Sequence, residues 1–423
     1  MVWIYNLFTL FASPLWVPWM WWRARQRKEA PNWKERCGNY SHIKIERNKP
    51  AVWIHAVSVG EVMATLPILR EVRRLMPGHH IVLSVTTSSG HATAREHASE
   101  LFDDLVYFPI DLLRFQMSAL MRIRPEVVAI METELWMNFV FSAKELGIAT
   151  LLINGRISDR SFPRSQKVRF FYRALLANVD RCLMQTQRDA DRILAIGARS
   201  AEVFGNSKFD QAVEGLQEDL LSWRQELGIA PDLPVVVIGS TRSEVEEEIV
   251  ASALGKIGRE IGLIWAPRHL ERADAVAEHI AETFGQCARR SRSERGNHVL
   301  LDTYGELAKV YCVADIVIIG GGFDQLGGQN LIQPLAHGKP VLHGPYMHNF
   351  QDVTTESLRV GSSRVCSNAA ELAEALIQLL DHPEIAANMG AEGRAFVAAN
   401  AGASERYAIA IQEAGSKMTK LAP

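Results

Sequence analysis

From residue 51 onward, short and nearly continuous apolar runs alternate with amphipathic segments. The first series predicts strands at Ala51–Val57, Ile81–Thr86, Leu105–Ile110, Val127–Met131, Ala149–Ile153, Arg181–Gln185 and Ala201–Phe204. Helical periodicity separates them, as over Glu61–Leu75, Leu135–Leu146 and Arg188–Ile196. Residues 211–232 lose the pattern. A second series follows at Val235–Gly239, Gly262–Ala266, His298–Asp302, Asp315–Ile319, Val341–His343 and Ser363–Cys366. Strands that are apolar along their whole length, with helices between, predict parallel sheets covered on both faces. Two such series predict an α/β protein of two doubly wound, Rossmann-like domains, 51–215 and 225–423, facing a cleft. In such sheets ligands bind beyond the carboxyl ends of the strands, so the loops there carry the chemistry.

The segment ahead of the strands is different. Residues 1–22 hold no charged side chain and include five of the ten tryptophans. About 20 apolar residues can cross a bilayer as a helix, and Trp suits the headgroup boundary. Arg23, Arg25, Arg27 and Lys28 follow at once, which predicts a membrane anchor at 1–22, a basic linker at 23–50, and everything downstream in the cytoplasm. A cleaved signal peptide fits poorly, because there is no basic stretch before the apolar one. Pro14 and Pro18 would kink a spanning helix, so an interfacial anchor stays open.

Whole-chain charge is −2 over 423 residues, which carries no nucleic-acid signature. That near-neutrality hides an asymmetry: residues 1–50 hold nine Lys/Arg and three Asp/Glu, a net of +6, so the remainder sits at −8. The five cysteines are odd in number and form no CxxC pair, which argues against a disulfide framework or a zinc site.

Several strand-end loops are candidates for chemistry. Ser58-Val59-Gly60-Glu61 follows the first strand. At this spacing Ser58 and Glu61 can form a helix capping box, or Glu61 can accept a proton from a substrate hydroxyl, with Gly60 allowing a tight turn. Glu132 and Glu134 close another strand and can cap a helix or hold sugar hydroxyls. In the second half, Gly239-Ser240-Thr241 opens a helix and can hold a phosphate. Arg268 of Pro267-Arg268-His269 can form a bidentate phosphate pair. Tyr304-Gly305-Glu306 marks a helix start. Gly320-Gly321-Gly322 and Gly327-Gly328-Gln329-Asn330 permit close backbone approach to a ligand. Neither a GxGxxG fingerprint after a first strand nor a P-loop is present, so a dinucleotide or P-loop NTPase site is not supported.

These residues, in order, resemble the 3-deoxy-D-manno-octulosonic acid (Kdo) transferases of Gram-negative envelope synthesis. The matching segments are His55–Glu61, Met131–Trp136, Asn154–Ser158, Gly205–Asp210, Gly239–Thr241, Pro267–His269, Gly305–Leu307 and Gly327–Asn330. The resemblance implies a GT-B fold and an enzyme at the cytoplasmic side of the bacterial inner membrane. It implies inverting transfer of Kdo from CMP-Kdo to a lipid A precursor, with no metal or other cofactor. It places the catalytic base at Glu61 and the acceptor near Ser58, Gly60, Glu132, Glu134 and Arg156. It places CMP at Ser240, Thr241, Pro267, Arg268, Tyr304, Gly305, Glu306, Asn330 and the residue at 333. There the family's Glu is Gln333, whose amide offers one acceptor and one donor instead of two acceptors. The family's Gly-Ser-Thr-His also becomes Gly-Ser-Thr-Arg, with Arg242 adding positive charge.

Three other readings stay open on the residues alone: a GT-B glycosyltransferase with a different donor or acceptor, an idle membrane-tethered sugar-binding protein, and a nucleotide-sugar epimerase. Finally, Arg160, Arg164, Lys167, Arg169 and Arg173 interleave with Phe162, Phe170, Phe171 and Tyr172. That is either an ordinary solvated helix face or a contact with an anionic membrane surface.

Overall fold

The computed structural model describes residues 2–26, 29, 32–46, 49–214, 216 and 220–419. Two compact units emerge, one from Met1–Gln211 with Ala401–Pro423, the other from Ala212–Asn400. The first unit holds β1 (Ala51–Ala56), β2 (His80–Val85), β3 (Asp104–Tyr107), β4 (Val127–Met131), β5 (Ala149–Gly155), β6 (Arg181–Met184) and β7 (Glu202–Val203). They form one parallel sheet in the order β3-β2-β1-β4-β5-β6-β7. The second holds β8 (Val235–Thr241), β9 (Gly262–Pro267), β10 (Ala288–Arg289), β11 (His298–Leu300), β12 (Ile316–Ile319), β13 (Val341–His343) and β14 (Ser363–Val365). Their order is β10-β11-β9-β8-β12-β13-β14, again all parallel. Every expected strand is present. Only β10 escaped the pattern, because two residues with an arginine make no apolar run.

Burial explains the unbroken apolar strands. In β1, Ala51 and Trp53 enter one core while Val52, Ile54 and Ala56 enter the core on the opposite face. Successive side chains alternate across a strand, so a strand covered on both sides must be apolar at every position. The order of each sheet reverses direction at one point, between β1 and β4 in the first and between β8 and β12 in the second. Loops leaving neighbouring strands diverge there and open a ligand crevice. The loops after β1, β4, β8 and β12 are those singled out in the sequence.

Two expectations are corrected. The last helix, Ala403–Thr419, was assigned to the second half but packs on the first. Its Tyr407, Ala408, Ala410 and Ile411 are buried in the first unit's core. Asp210 fixes its start, accepting from the Ser404 amide and hydroxyl at 2.7 Å each. An amphipathic pattern records that a helix has a buried face, not which sheet covers it.

The second correction concerns the anchor. Residues 2–26 form one helix, Val2–Gln26, but among the described residues no helix is long and apolar enough to cross a membrane. Asn6, Thr9, Pro14 and Pro18 interrupt the apolar run, and its tryptophans are amphipathic. The helix start is also held by the first unit. The Tyr5 hydroxyl donates to Asp111 at 2.9 Å, and the amides of Asn6 and Asn138 exchange hydrogen bonds of 2.8 and 3.0 Å. Asp111 is buried, which raises its pKa to about 6 against the amides of Asn138 and Phe139 that hold it down. The opposite face exposes Trp3, Ile4, Leu7, Phe8, Phe11, Leu15, Trp19 and Trp22. Their spacing of three and four residues places them on one stripe.

Candidate active site

In the first unit, Ser58 is the N-cap of helix Val59–Leu75. Its Oγ accepts from the Glu61 amide at 3.4 Å and donates to the Glu61 carboxylate at 3.1 Å. The second carboxylate oxygen accepts from the Val57 amide at 2.9 Å. The capping geometry expected from the Ser-x-x-Glu spacing is therefore present, and it fixes the rotamer of Glu61. The same carboxyl has the electrostatics of a base. Burial raises its pKa to about 7, and the negative charges of Glu132 and Glu134 add to the rise against the pull of the Val57 amide. A carboxyl poised there exchanges protons at neutral pH.

The fold brings Glu132 and Glu134 to Glu61 through the loop after β4. Glu132 stands at φ 54°, a left-handed conformation that costs a non-glycine residue free energy and concentrates at functional sites. Glu134 is raised by burial and then by Glu132. Asn154, at the end of β5, is also left-handed with φ 50°. Its Oδ1 accepts from the Ser207 amide at 3.2 Å. Tyr407 donates to the Gly205 carbonyl at 2.6 Å. These bonds hold the 205–208 segment so that Lys208 Nζ lies 3.7 Å from Glu132. Lys208 was not among the expected site residues, although its motif was visible; only the fold shows that it meets Glu132.

The remaining acceptor-side residues divide. Gly60 lies within the helix and is exposed, and a Cβ there would meet no atom within 4 Å. The expected tight turn is absent, and the glycine instead leaves the helix start uncovered. Arg156 is half-buried just beyond β5. His55, first in its motif, stays in the core, stacked on Phe108 at 3.8 Å, where burial lowers its pKa to about 3.

In the second unit, Ser240, next to last in β8, has φ 64°, a third left-handed non-glycine residue at a strand end. A Cβ on Gly239 would run into the Tyr311 hydroxyl, and one on Gly320 would meet the Thr241 backbone at 2.6 Å. The loops after β8 and β12 thus pack backbone against backbone. Thr241 is buried, and its hydroxyl accepts from the Trp265 indole at 3.1 Å. Its side chain is turned inward, against the expectation that it holds a phosphate. Ser240 is half-buried, Pro267 is buried, and Arg268 is exposed with its amide bonded to the Thr241 carbonyl at 2.8 Å.

The turn after β11 is tied down by charge. Gly305 adopts φ 85° and Tyr304 is 75% exposed, open for stacking. Glu306 accepts from Arg290 at 2.7 and 3.1 Å and from the Thr303 hydroxyl. Burial pulls its carboxyl upward, but these bonds win and hold it below the usual range. Its carboxylate is engaged within the protein, so Glu306 positions the turn. Asn330 Oδ1 accepts from the Ile332 amide at 3.0 Å just ahead of the next helix, Ile332–Ala336, and Gln333 lies half-buried within it.

Comparison with known proteins gives the family and the fold. The family described as 3-deoxy-D-manno-octulosonic-acid transferase (kdotransferase) matches residues 31–211. A 3-deoxy-D-manno-octulosonic acid transferase from Bordetella pertussis is 32% identical over 97% of this chain and 98% of its own length. Among solved structures, a UDP-GlcNAc 2-epimerase from Neisseria meningitidis superposes with a TM-score of 0.60 at 15% identity, covering 86% of this chain and 99% of that one. MurG from Acinetobacter baumannii gives 0.58 at 13% identity, with coverage of 86% and 99%. Those two likenesses are of fold, the two doubly wound sheets expected of GT-B. The near-complete match to the Bordetella protein carries the assignment: this chain belongs to the 3-deoxy-D-manno-octulosonic acid transferase family.

Proposed function

We propose that this glycosyltransferase, which transfers Kdo from CMP-Kdo in lipopolysaccharide biosynthesis, uses Glu61 as its general base and a lipid A precursor as its acceptor. The observation that carries the proposal is the Glu61 carboxyl itself, held by Val57 and Ser58 and raised to about 7. An acceptor hydroxyl gives its proton to Glu61 as its oxygen attacks the anomeric carbon of Kdo. The bond from that carbon to the CMP phosphate breaks, and CMP leaves with the electron pair. Attack from the face opposite the phosphate inverts the anomeric centre. Glu132, Glu134 and Arg156 bind the acceptor beside Glu61, with Ser58 and Gly60 at the open helix start.

On the donor side, Ser240, Arg268 and the Tyr304–Glu306 turn receive CMP, with Asn330 and Gln333 at the ribose. A monophosphate leaving group can be neutralised by arginine and backbone amides, so the reaction in this reading uses no metal. Association with the membrane rests on two features of the first unit. Helix Val2–Gln26 exposes Trp3, Leu7, Phe11, Leu15, Trp19 and Trp22, and tryptophan favours the bilayer interface. Tyr5 of that helix packs 6.0 Å from Phe171, next to the exposed Arg164, Lys167, Arg169 and Phe170. In this reading the exposed residues of the helix and the basic segment both meet the anionic cytoplasmic leaflet of the inner membrane, where a lipid acceptor resides.

The test is radiolabelled CMP-Kdo with lipid A precursor, products resolved by mass. The expected product is the precursor heavier by one or more Kdo residues. Hydrolysis of the donor with no change in the lipid would refute the acceptor assignment.

A further inference from the structure

Resting on the reading of the second unit as the donor site, we propose that Arg242 binds the carboxylate of the donor sugar and so selects an acidic sugar. In the register of the second sheet Thr241 pairs with Pro267, so the next residues, Arg242 and Arg268, leave adjacent strands side by side. Neither guanidinium has a carboxylate partner among the described residues. The obvious partner for Arg242 is taken up by backbone. Buried Glu246 accepts from the Arg242 amide at 3.0 Å with one oxygen and from the Phe323 amide at 3.0 Å with the other.

The Arg242 side chain uses one of its nitrogens. Nη1 donates to the Leu326 carbonyl at 3.3 Å, while Nε is buried with no partner. A buried guanidinium N–H without an acceptor is costly, and such groups are rarely left so. The unused edge, Nε with Nη2, is the side of the fork that matches the two oxygens of a carboxylate. Leu326, which holds Nη1, lies in the segment after β12 between Gly320-Gly321-Gly322 and Gly327-Gly328. There Gly321, Gly327 and Gly328 adopt φ of 76°, 94° and 77°, and Cβ atoms on Gly327 and Gly328 would run into Asn349, His348 and Met347, so these glycines let the segment after β12 pack closely.

The donor carries two anionic groups, a phosphate and the sugar's carboxylate. The two arginines divide them. Arg268, on the β9 side with the Tyr304–Glu306 turn after the neighbouring β11, takes the phosphate. Arg242, tied to Leu326 on the β12 side, takes the carboxylate.

The test compares the full-length enzyme with Arg242→Gln and Arg242→Lys, using CMP-Kdo as donor and CMP as product inhibitor. Loss of a charge-assisted fork predicts that Arg242→Gln raises the donor KM by about 10- to 100-fold, with the inhibition constant of CMP within about twofold of the parent. Arg242→Lys keeps the charge without the fork and falls between; it carries the same comparison where the glutamine variant fails to fold. An unchanged donor KM overturns the assignment. So does a parallel rise in the CMP constant, which would mean that Arg242 holds the phosphate or only the loop. A parent enzyme without CMP-Kdo turnover refutes the donor reading and this assignment together; an active parent with an unaffected Arg242→Gln refutes this assignment alone.

Discussion

Glu61 caps a helix and titrates near neutrality, and the two roles have one geometry. The Val57 amide and Ser58 hydroxyl fix the carboxyl, while burial and two neighbouring carboxylates raise its pKa to about 7. Holding it ionised in the folded state costs on the order of 3 kcal/mol. The sign is that of a raised carboxyl: the protonated form favours folding, so that contribution is lost as pH climbs through about 7. As the proposed base, Glu61 would be ionised in the same range where it costs stability. Transfer therefore rises with pH through about 7. Lys208 tunes that limb, since its ammonium lies 3.7 Å from Glu132 and offsets the charge that acts on Glu61. Lys208→Met leaves Glu132 uncompensated and shifts the acid limb of the pH–rate profile to higher pH; a limb that stays in place, or moves down, contradicts the coupling. The Ser-x-x-Glu spacing was legible in the sequence. The cluster of Glu61, Glu132, Glu134 and Lys208 was not, because its members lie up to 147 positions apart and only the parallel order of β1, β4 and β5 gathers them.

Among the elements, strands were the most legible because burial on both faces demands unbroken apolar runs. Helix Val2–Gln26 was the least. Its composition is that of a membrane segment, yet Tyr5 and Asn6 are bound to Asp111 and Asn138, contacts that no local pattern encodes. The helix joins the globular unit on one side and presents Trp3, Leu7, Phe11 and Leu15 on the other. The segment Phe162–Leu176 was similarly ambiguous. In the structure Phe171 and Tyr172 pack against the core while Phe170 is 64% exposed beside its arginines. A packed aromatic side and an exposed cationic face are what the ordinary-helix reading expects, and the membrane contact is the proposal that charge reversal tests. Replacing Arg164, Lys167 and Arg169 by Glu removes three favourable charges near an anionic leaflet, each worth about 1 kcal/mol, and adds three repulsive ones. Sedimentation with vesicles containing anionic lipid should show binding reduced by more than tenfold, with CMP affinity unchanged. Equal vesicle binding would leave the segment as an ordinary surface helix.

At the level of the whole molecule, two doubly wound units divide the chemistry. In the proposed reading the first supplies the base and the acceptor groups, and the second supplies the glycine loops and arginines that take the nucleotide-linked sugar. This division was legible as two series of apolar runs. The crossing of the last helix back to the first unit was not, since it depends on Tyr407 and Ile411 finding the core beneath helix Val59–Leu75. The central claim is that Glu61 removes the acceptor proton, and the most direct measurement is the transfer rate of Glu61→Gln set beside its affinity for CMP. The amide preserves the size of the side chain and can still accept from the Val57 amide, but it cannot take a proton at neutral pH. Transfer should fall by about 10²- to 10⁴-fold with CMP affinity unchanged; turnover within about threefold of the parent would contradict Glu61 as the base.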